Sequence, residues 1–317
     1  AMEETLDQAL RAIFGRPAPS APRAEQPVKP GEAGGPVTAE QALTNLRRMR
    51  ERYRQDDWAG FGQELKALEK ALEALLKAKN PLIICGQGVL TSGASVAVQQ
   101  LAEALSIPVG STTTGKGSIS EIHPLAIGVV GARGGTSFTN NFIENADTIF
   151  YIGSNTDSTG TDAWKLPKLG GNKTILHLDV AAENLGNMYK TTVSMCGDAR
   201  SSLDYMLKII AENGIERKSH SIDFTEERER ARKCLFETSI PDSNKGIFPP
   251  RFLRELNDML PDNAIIATEA GVCSIYTTPL FQMKCSGRRY LSNYSLGALG
   301  YAIPAAMGAA HADPKVP

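Results

Sequence analysis

The sequence has 317 residues, enough for about two domains of ordinary size. Its 42% hydrophobic and 22% charged residues give the balance of a globular protein that folds in water. The net charge of −1 excludes a global electrostatic attraction to nucleic acid or to an anionic membrane, and no stretch approaches the ~18 to 20 apolar residues of a membrane span. We therefore expect neither nucleic acid nor a membrane as a partner. The five scattered cysteines lack zinc-ligand spacing, which favours reduced thiols, a cytoplasmic protein and no metal site.

Helical patterns dominate the beginning of the chain. Residues 1–37 are predicted to form a short helix and then a linker rich in Pro and Ala, whose composition cannot offset its ordering entropy. Residues 38–78 are predicted to form a helical hairpin that begins with a capping box at Thr38. Its second helix carries apolar residues from Trp58 to Leu75 at spacings of three and four, which place them on one face. We interpret the hairpin as a packing or association element.

Residues 79–213 alternate between short apolar runs and helical patterns. Continuous apolar runs, as expected of strands that are buried on both faces of a parallel sheet, stand at 81–85, 107–109, 148–152 and 174–178. Turn-forming residues follow these runs, and helices are predicted between them. The pattern predicts an α/β fold with a Rossmann-like parallel sheet in this domain.

A polar connection over residues 214–247 leads to a second α/β pattern over residues 248–317. This pattern contains strands at 264–268 and 289–291, a helix after each strand, and a glycine-rich end. Two strand–helix units are too few for a stable doubly wound sheet. We therefore predict a partial second α/β domain.

Six residues in the loops of the first domain are candidate nucleotide contacts: Gly86, Gly88, Thr113, Lys116, Gly153 and Asp179. Ligands bind at the carboxyl ends of strands in open α/β sheets, and glycines there let backbone N–H groups approach phosphates. Lys116 would add a positive charge. The alternative is that the glycines serve strand-to-helix turns, because the run that begins at Gly86 is not a complete GxGxxG motif.

The order of several segments carries a resemblance to a known family. The runs Asn80 to Gly88, Thr113 to Gly117 and His123 to Gly128 follow one another as in the central domain of thiamine-diphosphate (ThDP) enzymes of the acetolactate-synthase and pyruvate-decarboxylase group. Leu296 to Ala310 resembles the segment just upstream of the metal motif of that family. The resemblance implies a decarboxylase or carboligase that acts on a 2-oxo acid. It also implies a central domain that is structural in some members and binds FAD, ADP or a CoA-type nucleotide in others.

The resemblance assigns ThDP contacts to six residues of the second domain: Glu269, Gly271, Ser274, Gly297, Leu299 and Gly300. Glu269 and Gly271 open a loop near the diphosphate, which Ser274 or backbone N–H groups would bind. The carbonyl of Gly297 would accept from the 4′-amino group of the cofactor. Leu299 matches the branched residue that holds ThDP in a bent conformation, with Gly300 in the same loop. The alternative for Leu299 is a plain core leucine.

The resemblance also implies that parts of the family's site lie outside this sequence. The catalytic glutamate of the family belongs to a pyrimidine-binding domain, whose pattern residues 1–78 do not show. The magnesium motif of the family would follow Pro317. We therefore expect no catalytic residue and no metal ligand in this chain. We interpret it as an incomplete and inactive part of a ThDP enzyme that forms homodimers or homotetramers.

Three other hypotheses stay open. In the first, the first domain is a non-catalytic nucleotide-binding module. In the second, the chain is an NAD-dependent deacylase-like enzyme, although its cysteine spacing lacks the zinc module of that class. The hairpin would instead drive oligomerisation or attach the chain to a partner. Residues 55–62 also resemble the soluble C-terminal tail of a family of large uncharacterised membrane proteins. That likeness implies that residues 1–78 and 79–317 are fused from different sources.

Overall fold

The computed structural model describes residues 58–215, 222–237, 246–294 and 296–317. The helix and linker predicted over residues 1–37 and the first helix of the hairpin lie outside the described residues. All described residues belong to one unit, which extends from Trp58 to Pro317.

The described strands form two parallel sheets. The main sheet contains β1 (Pro81–Cys85), β2 (Val109–Ser111), β3 (Ala126–Val129), β4 (Thr148–Ile152), β5 (Thr174–Asp179) and β6 (Val193–Cys196). The second sheet pairs β7 (Ile266–Thr268) with β8 (Tyr290–Ser292). The described α-helices are α1 (Trp58–Lys77), α2 (Gln87–Thr91), α3 (Ser95–Leu105), α4 (Ser137–Asn145), α5 (Ala199–Glu212), α6 (Thr225–Glu237), α7 (Pro249–Met259), α8 (Val272–Leu280) and α9 (Ala302–Ala312).

The main sheet has the strand order β3-β2-β1-β4-β5-β6, with all neighbours parallel. This order confirms the predicted Rossmann-like α/β fold. The chain winds outward from β1 to β3 and then crosses to β4 on the other side of β1. The direction of winding therefore reverses between β1 and β4, and the carboxyl ends of these strands mark the usual ligand position of such sheets.

The core consists of two layers, one on each face of the main sheet. Alternate residues of a strand point to opposite faces. Ile83 and Phe150 pack with the helices of one layer, while Ile84 and Tyr151 join the other layer, which contains Ile143 of α4. Every residue of β1 and of β4 is buried, which explains why their runs are continuously apolar.

Helix α1 is part of this core. Leu68, Leu72 and Leu75 are buried in the same layer as Ile83, and the Glu64 carboxylate accepts the N–H of Cys196 in edge strand β6 at 2.9 Å. The predicted second helix of the hairpin is thus present, but it packs on the sheet. The apolar face of α1 thereby covers the sheet on the near side of residue 78, after which the sequence predicted a domain boundary.

The C-terminal part contains a second, smaller α/β arrangement, in agreement with the prediction. Strands β7 and β8 are parallel, with Ile266 opposite Tyr290, and α8 connects them. Helix α6 lies within the predicted connection and contacts both parts. Its buried Arg228 donates to the carbonyls of His123 (2.9 Å) and Ala126 (2.6 Å), while Arg232 one turn later donates to the carbonyl of Leu280 (3.1 Å).

Candidate cofactor site

The carboxylate of Glu269 joins two segments of the C-terminal part. Glu269 follows β7, and its oxygens accept the N–H groups of Gly300 (3.0 Å), Tyr301 (3.3 Å) and Ala302 (2.8 Å). These donors lead into α9, where the first N–H groups of a helix lack intrahelical acceptors and favour negative charge. Glu269 therefore holds the loop at 297–300 beside the end of β7. Its direct contact with ThDP stays a prediction.

Two predicted contacts lie at the N-terminus of α8. Gly271 has a φ of +143°, which favours glycine, and nothing lies within 4 Å of the place where its Cβ would stand. The buried hydroxyl of Ser274 donates to the carbonyl of Gly271 at 2.9 Å. This placement does not support Ser274 as a donor to the diphosphate. The candidates for that task are the first-turn backbone N–H groups of α8, which have no acceptor within the helix.

The glycine-rich loop before α9 is open on its outer side. Gly297 and Gly300 have φ values of +66° and +84°, and no atom lies within 4 Å of the position of a Cβ at either. Leu299 is 80% exposed, so the alternative of a plain core leucine is wrong for the described unit. A branched apolar side chain thus stands free in the loop that Glu269 holds.

These features fit one side of a ThDP site. A helix N-terminus suits a diphosphate, and an exposed leucine with open glycines suits an aromatic ring system. Among the residues that the structure describes, no group of three or more His, Cys, Asp or Glu side chains could hold a metal ion.

At the reversal point of the main sheet, the loops contact each other directly. The N–H of Gly86 donates to the carbonyl of Ile152 at 2.8 Å, and the N–H of Gly88 donates to the carbonyl of Gly153 at 2.9 Å. A Cβ on Gly86 would stand 2.1 Å from the carbonyl oxygen of Gly153. The glycines are therefore needed for the approach of two loops. Their N–H groups are used within the protein, which does not fit a FAD or ADP phosphate between these loops.

The other three candidate nucleotide contacts are Lys116, Asp179 and Thr113. Lys116 is 1% exposed, and its ammonium contacts both oxygens of Glu121 at 2.6 Å. Asp179 accepts from the N–H of Ala181 at 2.9 Å and so stabilises its own loop. Thr113 is buried and its hydroxyl has no hydrogen-bond partner. The positive charge expected from Lys116 is thus directed to a carboxylate, because the C-terminal part covers it.

The comparisons with known proteins agree with this geometry. A family model described as "Thiamine pyrophosphate enzyme, central domain" matches residues 68–206, and one described as "C-terminal TPP binding domain" of the same enzymes matches residues 269–317. Thiamine pyrophosphate is another name for ThDP. The chain belongs to the thiamine pyrophosphate enzyme family.

The relatives of this family member include acetolactate synthase large subunits and a glyoxylate carboligase. The acetolactate synthase large subunit of Cyanidium caldarium is 27% identical over 80% of this chain and 43% of its own length. A probable acetolactate synthase large subunit of Methanocaldococcus jannaschii is 31% identical over 78% of this chain and 42% of its own length. The glyoxylate carboligase of Escherichia coli O157:H7 is 28% identical over 78% of this chain and 41% of its own length. The chain thus spans about two fifths of the length of these relatives.

The family match begins inside α1, at residue 68, which agrees with the packing of that helix on the sheet. No helix in the described ranges has both the length and the apolar character needed to cross a bilayer.

Two residues that contact Lys116 were not predicted from the sequence. Glu121 and Tyr290 lie on either side of Lys116: the carboxylate binds the ammonium, and the Tyr290 ring centroid lies 5.6 Å from Nζ. Nothing local in the sequence indicates Tyr290, which comes from the other part of the chain.

Proposed function

We propose that this chain contributes the central domain and one side of the cofactor site to a ThDP-dependent carboligase that acts on a 2-oxo acid. The observation that carries the proposal is the Glu269 contact. It holds the loop with Leu299 beside the end of β7, and Gly271 with the first turn of α8 follows two residues later. Both segments fall within the region that matches the C-terminal TPP-binding model.

The backbone N–H groups of residues 272–274 would bind the diphosphate, and the side chain of Leu299 would support the ring system. Gly271, Gly297 and Gly300 leave the space in which the cofactor would lie. ThDP, when bound, supplies a nucleophilic carbon and an electron sink for cleavage of the bond next to a 2-oxo group. The protein contributes orientation and the exclusion of water.

Activity, partners and location form the broader part of this proposal. Because the matched relatives are more than twice as long as the matched region, we infer that a complete site needs segments besides these 317 residues, including Mg²⁺ ligands and a catalytic glutamate. We expect no turnover from this polypeptide alone. We further propose a cytoplasmic homo-oligomer and a 2-oxo acid such as pyruvate or glyoxylate as the substrate.

A titration with ThDP and Mg²⁺, followed by amide NMR, tests the cofactor part. We expect weak, saturable shifts at the amides of Val272, Cys273 and Leu299, with no shifts for ADP. Thiamine without the diphosphate should leave the α8 amides unmoved while it still affects Leu299. No response of α8 to millimolar ThDP would refute the proposal, and CO₂ release from pyruvate by the polypeptide alone would refute the expected inactivity.

Two observations weigh against the nucleotide-binding alternative. The loops at the reversal point use their N–H groups within the protein, and Lys116 faces Glu121. We therefore do not propose FAD or ADP as a ligand of this chain.

A further inference from the structure

The loop after β2 and the segment before β8 bind each other through reciprocal backbone contacts. The N–H of Glu121 donates to the carbonyl of Met283 at 2.8 Å, and the N–H of Gly287 donates to the carbonyl of Gly117 at 2.7 Å. The hydroxyl of Ser120 donates to the carbonyl of Lys284 at 2.5 Å. These bonds fix the register of the C-terminal segment on the central domain residue by residue.

A buried ion pair lies at the centre of this contact. Lys116 and Glu121 have side chains that are 1% and 8% exposed, with 2.6 Å between the ammonium and the carboxylate oxygen. The same carboxylate accepts the N–H of Met283 at 2.7 Å. Burial lowers the pKa of the Lys116 ammonium, and the charge of Glu121 opposes that shift. The Glu121 carboxylate therefore contacts both the central domain, at Lys116, and the C-terminal part, at Met283.

The contact continues from Lys116 to the predicted cofactor segments through Tyr290. The ammonium lies over the Tyr290 ring, within the range of a cation–π interaction. The Tyr290 hydroxyl lies 2.9 Å from the hydroxyls of Thr277 and of Thr278, both in α8. Thr277 in turn lies 3.2 Å from the hydroxyl of Thr268, the last residue of β7. One aromatic side chain thus joins β8, α8 and β7.

We propose that Lys116 and Glu121 are positioning residues for the diphosphate side of the ThDP site. They orient Tyr290, and Tyr290 fixes α8 and β7, which lead to Gly271 and Glu269. The inference rests on the proposed function for the identity of the ligand. It assigns Lys116, a candidate nucleotide contact by sequence, to the docking of the C-terminal segment on the central domain.

The energetics of buried charges support this role. A buried ion pair adds little net stability compared with apolar residues of the same volume, because both charges lose their hydration. In contrast, the hydrogen bond from the Met283 N–H to Glu121 and the contact of Lys116 with the Tyr290 ring are directional. Together they favour one arrangement of the two parts. The pair therefore determines where the C-terminal segment lies more than how strongly it is bound.

Hydrogen exchange of three variants tests the proposal. Glu121→Gln keeps an acceptor for the Met283 N–H but leaves the Lys116 ammonium without a carboxylate. Lys116→Met keeps the Glu121 carboxylate with Met283 but leaves that carboxylate without its ammonium. We expect each to speed exchange in α8 and β8 at least tenfold, with β1 and β4 within twofold of the wild type. The double variant removes both charges and keeps the acceptor, so it should return to within about threefold of the wild type. Lys77→Met, which breaks the exposed pair with Glu73, is the matched control and should change nothing.

Tyr290→Phe keeps the ring and removes only its hydroxyl. We expect faster exchange in α8 but unchanged exchange at Met283 and Gly287, because the hydroxyl acts after the ion pair in the chain of contacts. If the single variants of Lys116 and Glu121 loosen β1 and β4 as much as α8, the pair is merely structural and the proposal is overturned. Unchanged exchange in α8 and β8 would overturn it as well.

The ThDP titration separates this inference from the proposed function. If the wild type binds ThDP, Glu121→Gln should weaken the apparent affinity about tenfold, and equal affinity would overturn the positioning role. If the wild type shows no response to ThDP at α8, the proposed cofactor site fails. The exchange pattern then decides by itself whether the pair orients α8 and β8.

Discussion

Replacing Glu269 by Ala should release the loop that carries Leu299. The carboxylate accepts three backbone N–H groups, from Gly300, Tyr301 and Ala302, at 2.8 to 3.3 Å. Loss of a capping acceptor costs about 1 kcal/mol, and loss of a negative charge at a helix N-terminus adds 0.3 to 1 kcal/mol. Because three donors lose their acceptor together, we expect about 2 kcal/mol of local stability to be lost.

This loss corresponds to about 30-fold faster opening of the segment, since 1.4 kcal/mol is a factor of ten. Native-state hydrogen exchange at the amides of Gly300, Tyr301 and Ala302 measures it directly. Glu269→Gln keeps one acceptor oxygen and loses the charge, so its effect should be smaller, about 1 kcal/mol or fivefold.

The control is Glu255→Ala, because Glu255 is an exposed residue of α7 that pairs with its neighbour Arg254. It should leave the exchange at 300–302 unchanged. Exchange in Glu269→Ala that stays within twofold of the wild type would refute the idea that this carboxylate holds the loop. An equal increase at the amides of β1 would show a global loss of stability.

Three further predictions concern the central domain. Gly86→Ala should lower the free energy of unfolding by more than 2 kcal/mol in a urea titration, because the new Cβ would stand 2.1 Å from the carbonyl oxygen of Gly153. Leu75→Ala should lower it by about 2 to 5 kcal/mol, because the side chain is fully buried in the core. In a thiol-reagent assay at pH 8, exposed Cys273 should react at once and Cys85 only on unfolding, because burial raises the pKa of the Cys85 thiol.

Each of these predictions has a matched control. Gly308 lies in α9 with no atom within 4 Å of the place of its Cβ, so Gly308→Ala should not lower the free energy of unfolding. Leu299→Ala removes a side chain that is 80% exposed and should likewise leave global unfolding unchanged. A Cys85 that reacts as fast as Cys273 in the folded protein would contradict its burial. A urea midpoint for Gly86→Ala equal to that of the wild type would contradict the closed contact of the two loops.

The sequence predicted the central strands well and the edge of the sheet poorly. The bounds predicted for β1 and β4 agree with the structure, because strands buried on both faces are apolar at every position. Strands β3 and β6 were missed. Gly128 interrupts β3 with a φ of +103°, and β6 lies at the edge, where Ser194 and Cys196 are exposed. A local apolar run does not indicate such strands.

Residues of the candidate site that lie in one segment could be named from the sequence, but contacts between distant segments could not. Gly297, Leu299 and Gly300 lie together in one loop, so a local pattern was enough to find them. The structural roles of Glu269 and Ser274 depend on which N–H or C=O groups lie near them after folding. The partners of Glu269 come from more than 30 positions later in the chain, a relation that no local pattern contains.

The same reasoning explains why the sequence alone did not decide between a ligand and a neighbouring part of the chain for the glycines and the lysine of the central domain. A Gly-x-Gly turn after a strand allows close approach of any neighbour, and the sequence cannot tell a phosphate from a second loop. Here the neighbour of Gly86 is Gly153, and the neighbour of Lys116 is Glu121 beneath the C-terminal segment. The carboxyl end of the sheet, where open α/β folds usually bind ligands, instead binds another part of its own chain. Under the proposed function, the central domain acts on the cofactor site through the placement of α8 and β8.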